Sequence, residues 1–506
     1  MSKRVLMSVY DKESIVDFAK ELVKLDWEIV STGGTYKLLL EEGVKVTEVN
    51  SVTEFPEILN GRVKTLHPAI HGGILAKRDC GMHMDTVKAL GIELFDMVVC
   101  NLYPFEATVR DDSKTHNDII ENIDIGGPSM IRSAAKNYRD VYVVTDKDDY
   151  DLVIDALQRH DLDIHHYLAS KAFAITASYD ALISQYFLRE EGIELPNTLT
   201  KTYRKVSDLR YGENPHQKAS YYEEITASEP IEFTQLHGKE LSYNNINDMT
   251  GALRVLQEFT APTAVAVKHA NPSGIGSAET LKEAFEKARD CDPESIFGGI
   301  IALNRPVELD TAMLLGDIFL EVIVAPSFTD EAKEKLMKKK NVRLIEMPKI
   351  QEYHEDSMLI KDVLNGVLVQ DRDLALIDEA KYEVVSKRQP TEEELEQLEF
   401  AWKACKQLAS NAIVVAKNNM TLGLGHGEVQ RFWACEKAIE RSLFPVEGSV
   451  MASDAFFFED TIELCEKHGI KAIIQPGGSV KDPKVIELAD KYDMTLIFTG
   501  MRHFRH

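Results

Sequence analysis

Three scarcities narrow the class of protein that this sequence can encode. No apolar run approaches the ~20 residues that a membrane-spanning helix needs, and the apolar stretch after Arg4 already ends before Asp11, too soon for an export signal. The six cysteines are scattered without the paired spacing of a metal site, which is typical of reduced thiols. Basic residues are few, 58 against 83 acidic ones, and the resulting formal charge of −25 disfavours nucleic acid as a partner. We therefore expect a cytoplasmic protein with neither a membrane nor a nucleic acid as partner.

What the chain does have is length and a regular alternation of elements. Its 506 residues exceed the ~100–200 residues of one domain, and 44% of them are hydrophobic, as in ordinary globular proteins. The first part alternates short apolar runs with helical periodicities, which predicts a mostly parallel sheet covered by helices. We expect strands at 5–9, 27–31, 44–49, 97–101 and 141–145, and helices at 12–25, 128–136, 148–159 and about 164–191. The segment 192–198 is typical of a linker.

The second part uses one order of elements twice. A helix at 248–260, a strand at 264–268, a glycine-rich loop and a helix at 280–289 return as a helix at 391–410, a strand at 412–417, the loop 423–427 and a helix at 429–441. A further strand and helix follow each set. Sequence identity between the two sets is negligible, so element order alone predicts a duplicated α/β unit.

A glycine turn in the first part suits an anionic ligand. In Ser31-Thr32-Gly33-Gly34-Thr35 the glycines let backbone N–H groups crowd toward an anion at a helix N-terminus. The alternative is a tight turn with a hydroxyl cap. Ser8 and Lys12 lie at the same edge of the predicted parallel sheet, where ligands usually bind, and this favours the anion site.

Further polar groups in the first part allow an acid–base set. In the segment 61–68, an extended backbone would put Arg62, Lys64 and Leu66 on one face, with Thr65 beside them; the alternative is a solvated basic loop. The hypothesis is that four side chains, Lys64, Tyr103, Asp124 and Lys136, form one acid–base set. The alternative is helix capping after Asp124, at Gly126 and Gly127, and a surface cation at Lys136.

The second part carries its own polar motifs. The segment from Arg210 and Tyr211 to Gln217 holds more polar side chains than core packing requires. Lys268 and His269 end an apolar strand, and because neighbours in a strand face opposite ways, the strand must break there if both serve one site. The alternative is a satisfied histidine beside a snorkelling lysine. Asn411, Arg431 and Phe456 are further candidates, and the aromatic ending at 500–506 predicts a docked terminus.

Four of these motifs together resemble one family of bifunctional purine-biosynthesis enzymes. They are Gly-Arg-Val-Lys-Thr-Leu-His-Pro, Asn-Leu-Tyr-Pro-Phe, Arg-Tyr-Gly-Glu-Asn-Pro-His-Gln and the ending Arg-His-Phe-Arg-His. The family joins aminoimidazole-carboxamide ribotide (AICAR) formyltransferase to IMP cyclohydrolase. The resemblance runs from Ser8 to His506 in the family's order.

The resemblance implies an α/β architecture in two parts. It implies a methylglyoxal-synthase-like parallel-sheet domain over 1–197 that carries the cyclohydrolase. The formyltransferase would occupy 198–506 as two cytidine-deaminase-like units, about 198–375 and 376–506. The deaminase zinc pattern is absent, so no zinc or other metal is expected. The family is a homodimer with shared formyltransferase sites, and its formyl donor is 10-formyltetrahydrofolate; its other ligands are AICAR ribotide, formyl-AICAR ribotide and IMP.

The resemblance also assigns roles to individual residues. For cyclisation it implies the catalytic residues Lys64, Tyr103, Asp124 and Lys136. For formyl transfer it implies Lys268, His269 and Asn411. The substrate-binding residues that it implies are Ser8, Lys12, Ser31, Thr32, Gly33, Gly34, Thr35, Arg62, Thr65, Gly126, Gly127, Arg210, Tyr211, Phe297, Gly298, Glu321, Arg431 and Phe456.

Three departures from the family pattern leave alternatives open. The family usually reads Gln-x-Ser-Arg where this chain has Glu428 to Arg431, and Ala where it has His426. It also reads Phe-Phe-Pro-Phe where this chain has Phe456 to Glu459, so that Phe458 replaces proline. A chain with only the cyclohydrolase active, or a non-catalytic nucleotide-binding regulator, would also fit these changes.

Overall fold

The computed structural model describes residues 3–159, 161, 163–225, 231–353, 355, 358–375 and 382–506. These residues form two compact units. Unit 1 holds the described residues up to Arg204 together with 222–225, and unit 2 holds 205–221 and the described residues from 231 onward.

Unit 1 is built on a five-stranded parallel sheet, as predicted. Its strands are β1 (Lys3–Ser8), β2 (Trp27–Ser31), β3 (Val46–Glu48), β4 (Met97–Cys100) and β5 (Tyr142–Val144). They lie in the order β3-β2-β1-β4-β5, and every neighbouring pair is parallel. The carboxyl ends of all five strands therefore meet at one edge.

Helices cover this sheet because each presents an apolar stripe to it. In α1 the buried residues Ile15, Phe18, Ala19 and Leu22 recur at helical spacing. The helices of unit 1 are α1 (Ile15–Lys24), α2 (Gly33–Glu41), α3 (Val49–Thr53), α4 (Pro68–Leu75), α5 (Gly81–Ala89), α6 (Phe105–Val109), α7 (His116–Glu121), α8 (Gly126–Lys136), α9 (Tyr150–Arg159) and α10 (Ile164–Glu190).

Unit 2 is built on one mixed sheet of twelve strands. Two separate pairs of strands accompany it, β6 (Tyr203–Leu209) with β7 (Ala219–Glu224), and β14 (Met358–Val363) with β15 (Gly366–Asp371). The strands of the twelve-stranded sheet are β8 (Thr234–His237), β9 (Thr263–Lys268), β10 (Asn271–Ser277), β11 (Ile300–Leu303), β12 (Val322–Ala325), β13 (Arg343–Glu346), β16 (Glu383–Val384), β17 (Ile413–Lys417), β18 (Met420–Gly425), β19 (Val450–Ser453), β20 (Ala472–Gln475) and β21 (Thr495–Phe498). The helices are α11 (Tyr243–Leu256), α12 (Leu281–Cys291), α13 (Leu309–Asp317), α14 (Asp330–Leu336), α15 (Glu392–Lys406), α16 (Arg431–Glu440), α17 (Glu459–Lys467) and α18 (Asp482–Lys491).

The predicted duplication is confirmed by element order and by the order of strands. The series α11-β9-β10-α12-β11-α13-β12-α14-β13 returns as α15-β17-β18-α16-β19-α17-β20-α18-β21. The sheet runs β16-β21-β20-β19-β17-β18-β10-β9-β11-β12-β13-β8, so the two repeats meet at β18 and β10 and run outward in mirrored order. Helices α11 and α15 share one core on one face, and the other helices of each repeat have their own core on the opposite face.

The first predicted glycine loop is wrong and the second, 423–427, is wrong in part, because Asn271–Ser277 and Met420–Gly425 are strands and only His426 and Gly427 lie beyond β18. Gly274 and Gly276 lie in β10, and Gly423 and Gly425 lie in β18. A Cβ on any of the four would fall far inside van der Waals contact of a carbonyl oxygen of the next helix, at Ala288, Ala284, Ala438 and Ala434 respectively. The glycines therefore let α12 and α16 pack directly on the backbone of the sheet.

The chain terminus is docked, as predicted. His503 is 1% exposed and packs edge-on against Trp402, with ring centroids 5.1 Å apart. Arg505 donates to the carbonyl oxygen of Gln407 at 2.7 Å. The predicted limit between the two repeats at 376 lies outside the described residues. Among the residues that the structure describes, no helix has the length and apolar character required to cross a membrane.

A substitution in β18 tests the role of the glycines. Gly423→Ala is expected to lower the free energy of unfolding of unit 2 by about 3 kcal/mol, because the added methyl group must displace α16 from the sheet. Denaturant unfolding followed by circular dichroism measures it. Gly366→Ala is the matched control, since nothing lies within 4 Å of a Cβ there. Equal stability of the two variants would contradict the packing argument.

Candidate active sites

The first candidate site lies at the carboxyl edge of the parallel sheet in unit 1. Ser8 ends β1 and Ser31 ends β2 at this edge. The Ser31 hydroxyl donates to the carbonyl oxygen of Met7 at 2.8 Å, and the Thr35 hydroxyl donates to the carbonyl oxygen of Val9 at 3.0 Å. The first bond joins the end of β2 to β1 and the second joins α2 to the residue after β1, so the turn between Ser31 and Thr35 is held at both ends.

The backbone of that turn is open to an anion and has a cation beside it. Thr32 precedes α2, and Gly33 begins it with φ +56°, a conformation that favours glycine. A Cβ built on Gly34 would lie 3.4 Å from Cε of Lys12. The helix N-terminus and this lysine therefore lie side by side, as the predicted anion site requires.

The segment around Lys64 is not extended, so the condition for a shared face is not met. It turns through a short 3-10 helix, Leu59–Gly61, closed by a bridge between Ile58 and Val63. Arg62 points into solvent and pairs with Glu121 on α7. Lys64 instead turns inward, where its Nζ lies 3.6 Å from the Cβ positions of both Gly33 and Gly61.

The loop before α8 completes the cluster. The Asp124 carboxylate accepts a hydrogen bond from the Gly127 N–H at 2.8 Å. The buried Thr65 lies beside the same helix start, since its hydroxyl oxygen is 3.1 Å from a Cβ built on Gly126. The structure thus brings the glycine turn, Lys64, Thr65 and the start of α8 to one place at the sheet edge.

Electrostatics join Tyr103 and Asp124 to this cluster. Burial raises the pKa of the Asp124 carboxyl, while the Gly127 N–H and the charge of Lys64 act in the opposite direction. Burial also raises the pKa of the Tyr103 hydroxyl, and the nearby Asp124 charge raises it further. Tyr103 therefore keeps its proton and can donate it in a hydrogen bond.

Lys136 is not placed with the other three predicted catalytic residues. It is exposed at the last turn of α8, whereas the cluster surrounds the first turn. Ten residues of helix separate the two ends by about 15 Å, farther than a lysine side chain reaches. Of the four predicted catalytic side chains, this structure therefore brings Lys64, Tyr103 and Asp124 together. A catalytic role for Lys136 stays a prediction of the resemblance.

Two residues that support the cluster carry no local signal in the sequence. Tyr179 on α10 accepts from the Asp124 N–H at 2.8 Å and donates to the carbonyl oxygen of Asn122 at 3.0 Å. Burial raises the pKa of Tyr179 to about 12. Glu57 lies 3.8 Å from Nζ of Lys64. Tyr179 acts across 55 residues of sequence, so only the fold reveals it, whereas Glu57 is near Lys64 in the sequence and the turn at Leu59–Gly61 brings the two side chains together.

The second candidate site lies along one edge of the twelve-stranded sheet. Strands β9, β10, β18 and β17 are neighbours, and each pair is antiparallel. The carboxyl end of β9 therefore lies at the same edge as the start of β17. Strand directions bring all of the predicted residues near β9, β11, β12, β17, β18 and β19 to this edge, namely Lys268, His269, Phe297, Gly298, Glu321, Asn411, Arg431 and Phe456.

The first repeat contributes a strand break and a loop to this edge. β9 ends at Lys268, and His269 follows with φ 55°, so the predicted break in the strand is confirmed. Lys268 Nζ donates to the carbonyl oxygen of Phe297 at 3.0 Å. Phe297 is exposed and is followed by Gly298 with φ 73°. Glu321 pairs with Arg343 at the starts of β12 and β13.

The second repeat contributes an arginine held by polar partners. Arg431, at the start of α16, pairs with the fully buried Asp454 and donates to the Asn411 side-chain oxygen at 2.6 Å. The Asn411 amide donates to the carbonyl oxygen of Glu428 at 2.8 Å. Three strand spacings put the backbone of Asn411 about 14 Å from that of Lys268 along the edge.

The structure accounts for the departure at Glu428, whose carboxylate pairs with Lys437, six residues beyond Arg431 on α16. Phe456 is half-buried and carries the guanidinium of Arg502 over its ring at 5.4 Å, which places Arg502 at this edge as well. In the sequence, Arg502 is predicted only as part of the docked ending. Phe458, where the family has proline, is 41% exposed beside Lys481.

Arg210 and Tyr211 lie in the exposed turn between β6 and β7. The guanidinium of Arg210 is 5.7 Å from the ring of Tyr211. Gly212 closes the turn by donating to the carbonyl oxygen of Gln217 at 2.8 Å. Within the part of the chain that the structure covers, no three His, Cys, Asp or Glu side chains are grouped as metal ligands would be.

Comparison with known proteins gives two family matches. Residues 134–441 match the AICARFT/IMPCHase bienzyme family, and residues 14–129 match the MGS-like domain family. The chain is 52% identical over 511 residues to the bifunctional purine biosynthesis protein PurH of Thermoanaerobacter sp. (strain X514), with 100% of both chains covered. It is 51% identical to the protein of that name from Oceanobacillus iheyensis and 49% to that from Caldicellulosiruptor bescii, again over 100% of each. The solved structure described as the crystal structure of ForH has 34% identity and a TM-score of 0.34, covering 37% of this chain and all of its own.

The charge arrangement around Asp124 predicts how its carboxyl titrates. Lys64→Met is expected to raise the pKa of Asp124 further, because the variant removes a cation that stabilises the carboxylate. Carbon-13 NMR of aspartate-labelled protein measures the titration, and Asp124→Asn assigns the signal. Lys136→Met is the matched control and is expected to leave the titration unchanged. A shift in the control as large as in Lys64→Met would contradict the placement of both lysines.

Proposed function

Because the chain belongs to the AICARFT/IMPCHase bienzyme family, we propose that it catalyses the last two steps of IMP synthesis. It is a bifunctional enzyme of purine biosynthesis, a phosphoribosylaminoimidazolecarboxamide formyltransferase and an IMP cyclohydrolase. The first activity transfers a formyl group to AICAR ribotide, and the second closes formyl-AICAR ribotide to IMP with loss of water. The observation that carries the assignment is full-length identity of about half to enzymes of that description.

We assign cyclisation to the cluster at the sheet edge of unit 1. The glycine turn and Lys12 suit the phosphate of the ribotide, since N–H groups and a cation converge there. Thr65 and the start of α8, at Gly126 and Gly127, lie opposite that turn and would contact the base.

Three side chains suit the chemistry of ring closure. The carboxamide nitrogen attacks the formyl carbon and a C–N bond forms. The carboxamide and formamido nitrogens each lose one proton, and the former formyl oxygen takes up both and leaves as water when its C–O bond breaks. Lys64 stabilises the oxyanion. Tyr103, whose hydroxyl holds its proton, donates to the same oxygen, and Asp124 orients the carboxamide N–H.

We assign formyl transfer to the edge of unit 2. The 5-amino group of AICAR ribotide attacks the formyl carbon of the folate, and the C–N bond of the donor breaks as the folate nitrogen takes a proton. His269 accepts the proton that the amine loses. Lys268 and the second N–H of the Asn411 amide donate to the developing oxyanion. Arg431, already near Asn411, suits the ribotide phosphate.

The finer details of the proposal come from the family resemblance. The formyl donor is 10-formyltetrahydrofolate, and Phe297, Gly298, Glu321 and Phe456 line the pockets for nucleotide and folate. The protein is cytoplasmic and needs no metal. Its second part consists of two cytidine-deaminase-like units, which agrees with the repeated element order. The domain limits are 1–197 and 198–506.

A homodimer with shared formyltransferase sites is part of the same proposal. Arg210 and Tyr211 lie in an exposed turn, where they are accessible to a second copy of the chain. A chain with cyclohydrolase activity alone, or a non-catalytic regulator, is less well supported. The carboxylate of Glu428, which had raised both alternatives, is neutralised by Lys437 rather than directed at Arg431.

The two activities are expected to be separable by single substitutions. Lys268→Ala should lower formyl transfer by about 100-fold or more while leaving cyclisation of supplied formyl-AICAR ribotide intact, and Lys64→Ala should do the reverse. The assay follows tetrahydrofolate release and IMP formation as two signals.

Lys417→Ala is the matched control for both variants. Lys417 ends β17 as Lys268 ends β9, but strand direction puts it at the opposite edge of the sheet. It should leave both activities unchanged. If either Lys64→Ala or Lys268→Ala removed both activities in a folded protein, the assignment of one activity to each unit would be wrong.

A further inference from the structure

The turn that presents His269 is held in a conformation that its own residues disfavour. His269 and Ala270 have φ of 55° and 57°, in the left-handed region where a Cβ crowds the neighbouring carbonyl oxygen. Neither residue is glycine, and alanine has no polar side chain to bond the backbone locally. The pairing of β9 with β10 imposes this two-residue hairpin turn, and a group outside the turn can offset the strain that remains at Ala270.

Asp248 on α11 is that group. One of its carboxylate oxygens accepts from the Ala270 N–H at 2.7 Å and the other from the His269 N–H at 3.3 Å. Two consecutive N–H groups converge on one anion because both residues are left-handed. Gly251, one helical turn further along, lets the turn approach, since a Cβ there would lie 3.0 Å from the Ala270 carbonyl oxygen.

The second repeat supplies an internal comparison for this turn. Lys417 ends β17, and its Nζ donates to the carbonyl oxygen of Glu447 at 2.9 Å, as Lys268 Nζ does to Phe297 at 3.0 Å. The two residues that follow it have φ of 55° and 53°, as in the first repeat. They are Asn418 and Asn419, and asparagine enters the left-handed region readily.

The helix beside this second turn carries a different residue at the position of Asp248. Counting from the N-cap residues Ser242 and Thr391, the residue of α15 that corresponds to Asp248 is Gln397. The Gln397 amide donates to Glu393 on its own helix at 3.1 Å. Asp248 thus accepts from the backbone of the first turn, whereas at the second turn the carboxylate of Glu396 accepts from the side chain of Asn419.

We propose that Asp248 is a positioning residue for formyl transfer. It holds the left-handed turn that brings the imidazole of His269 round to the ligand side of Lys268, which a continuing strand would prevent. The inference rests on the proposed function, which gives Lys268 and His269 their roles. Asp248 itself touches backbone only, so its effect on catalysis passes through the geometry of the turn.

The test combines removal of the carboxylate with relief of the strain. Asp248→Ala is expected to lower kcat of formyl transfer about 10- to 100-fold and to leave cyclisation unchanged, because the base is misplaced rather than lost. When Ala270→Gly is added to Asp248→Ala, kcat of formyl transfer is expected to rise at least tenfold above that of Asp248→Ala alone, because glycine adopts positive φ without a Cβ clash. A carboxylate that acted on substrate would give no such recovery.

Two further variants keep the outcomes distinct. Glu396→Ala is the matched control, since Glu396 bonds the second turn through Asn419 at 2.6 Å and should leave formyl transfer unchanged. His269→Ala tests the proposed function: full transfer by that variant would overturn the assignment of the base. Loss in His269→Ala with wild-type kcat in Asp248→Ala would overturn the positioning role alone.

Failure of Ala270→Gly to recover activity would also overturn that role. If Asp248→Ala does not fold, Asp248→Asn replaces it, because its one remaining acceptor oxygen can still bond the Ala270 N–H. A smaller loss is then expected, recovered by the same glycine. Wild-type kcat in a folded Asp248→Asn, or a loss that the glycine leaves in place, would overturn the proposal.

Discussion

The antiparallel pairing of β10 with β18 is the constraint on which the second site depends. It joins two repeats of the same element order so that β9 and β17 run in opposite directions. The carboxyl end of one repeat's strand then meets the start of the other's at a single edge. A parallel junction would have separated Lys268 from Asn411 by the length of a strand, about 20 Å. The site is therefore a product of the junction and not of either repeat alone.

The same symmetry creates a second edge, and the residues there show which features belong to the fold and which to the chemistry. Lys417 keeps the lysine and its bond to a loop carbonyl. The positions that correspond to Asn411 and Arg431 hold Pro262 and Leu281, neither of which can bind an anion. The lysine–carbonyl bond is thus common architecture. The side chains that define the site, together with a strained turn, occur only at the first edge.

The periodicity of apolar residues could predict most of this fold, because strands and amphipathic helices each have a characteristic spacing of apolar residues within a short segment. The segment 27–31 forms a strand with those bounds, and the parallel sheet follows from alternation. The prediction of loops at the glycine segments failed because a glycine is equally typical of a loop and of a strand on which a helix backbone packs closely. Their signal was the spacing of two glycines before a helix with alanines four apart, which recurs in both repeats. Tyr179 and the distance of Lys136 from Asp124 depend on three-dimensional contacts, which no local pattern encodes.

The departures around Arg431 illustrate how a substitution can carry its own compensation. A carboxylate at Glu428 would compete with a phosphate for the arginine if the two side chains met. The structure instead engages Arg431 with Asp454, Ser453 and the Asn411 oxygen, while Lys437 takes Glu428. Because Asp454 is fully buried, its charge requires the arginine, and the guanidinium is held in place before any ligand arrives. The arginine is therefore preorganised by the core, and the carboxylate of Glu428 is neutralised by Lys437 without altering that arrangement.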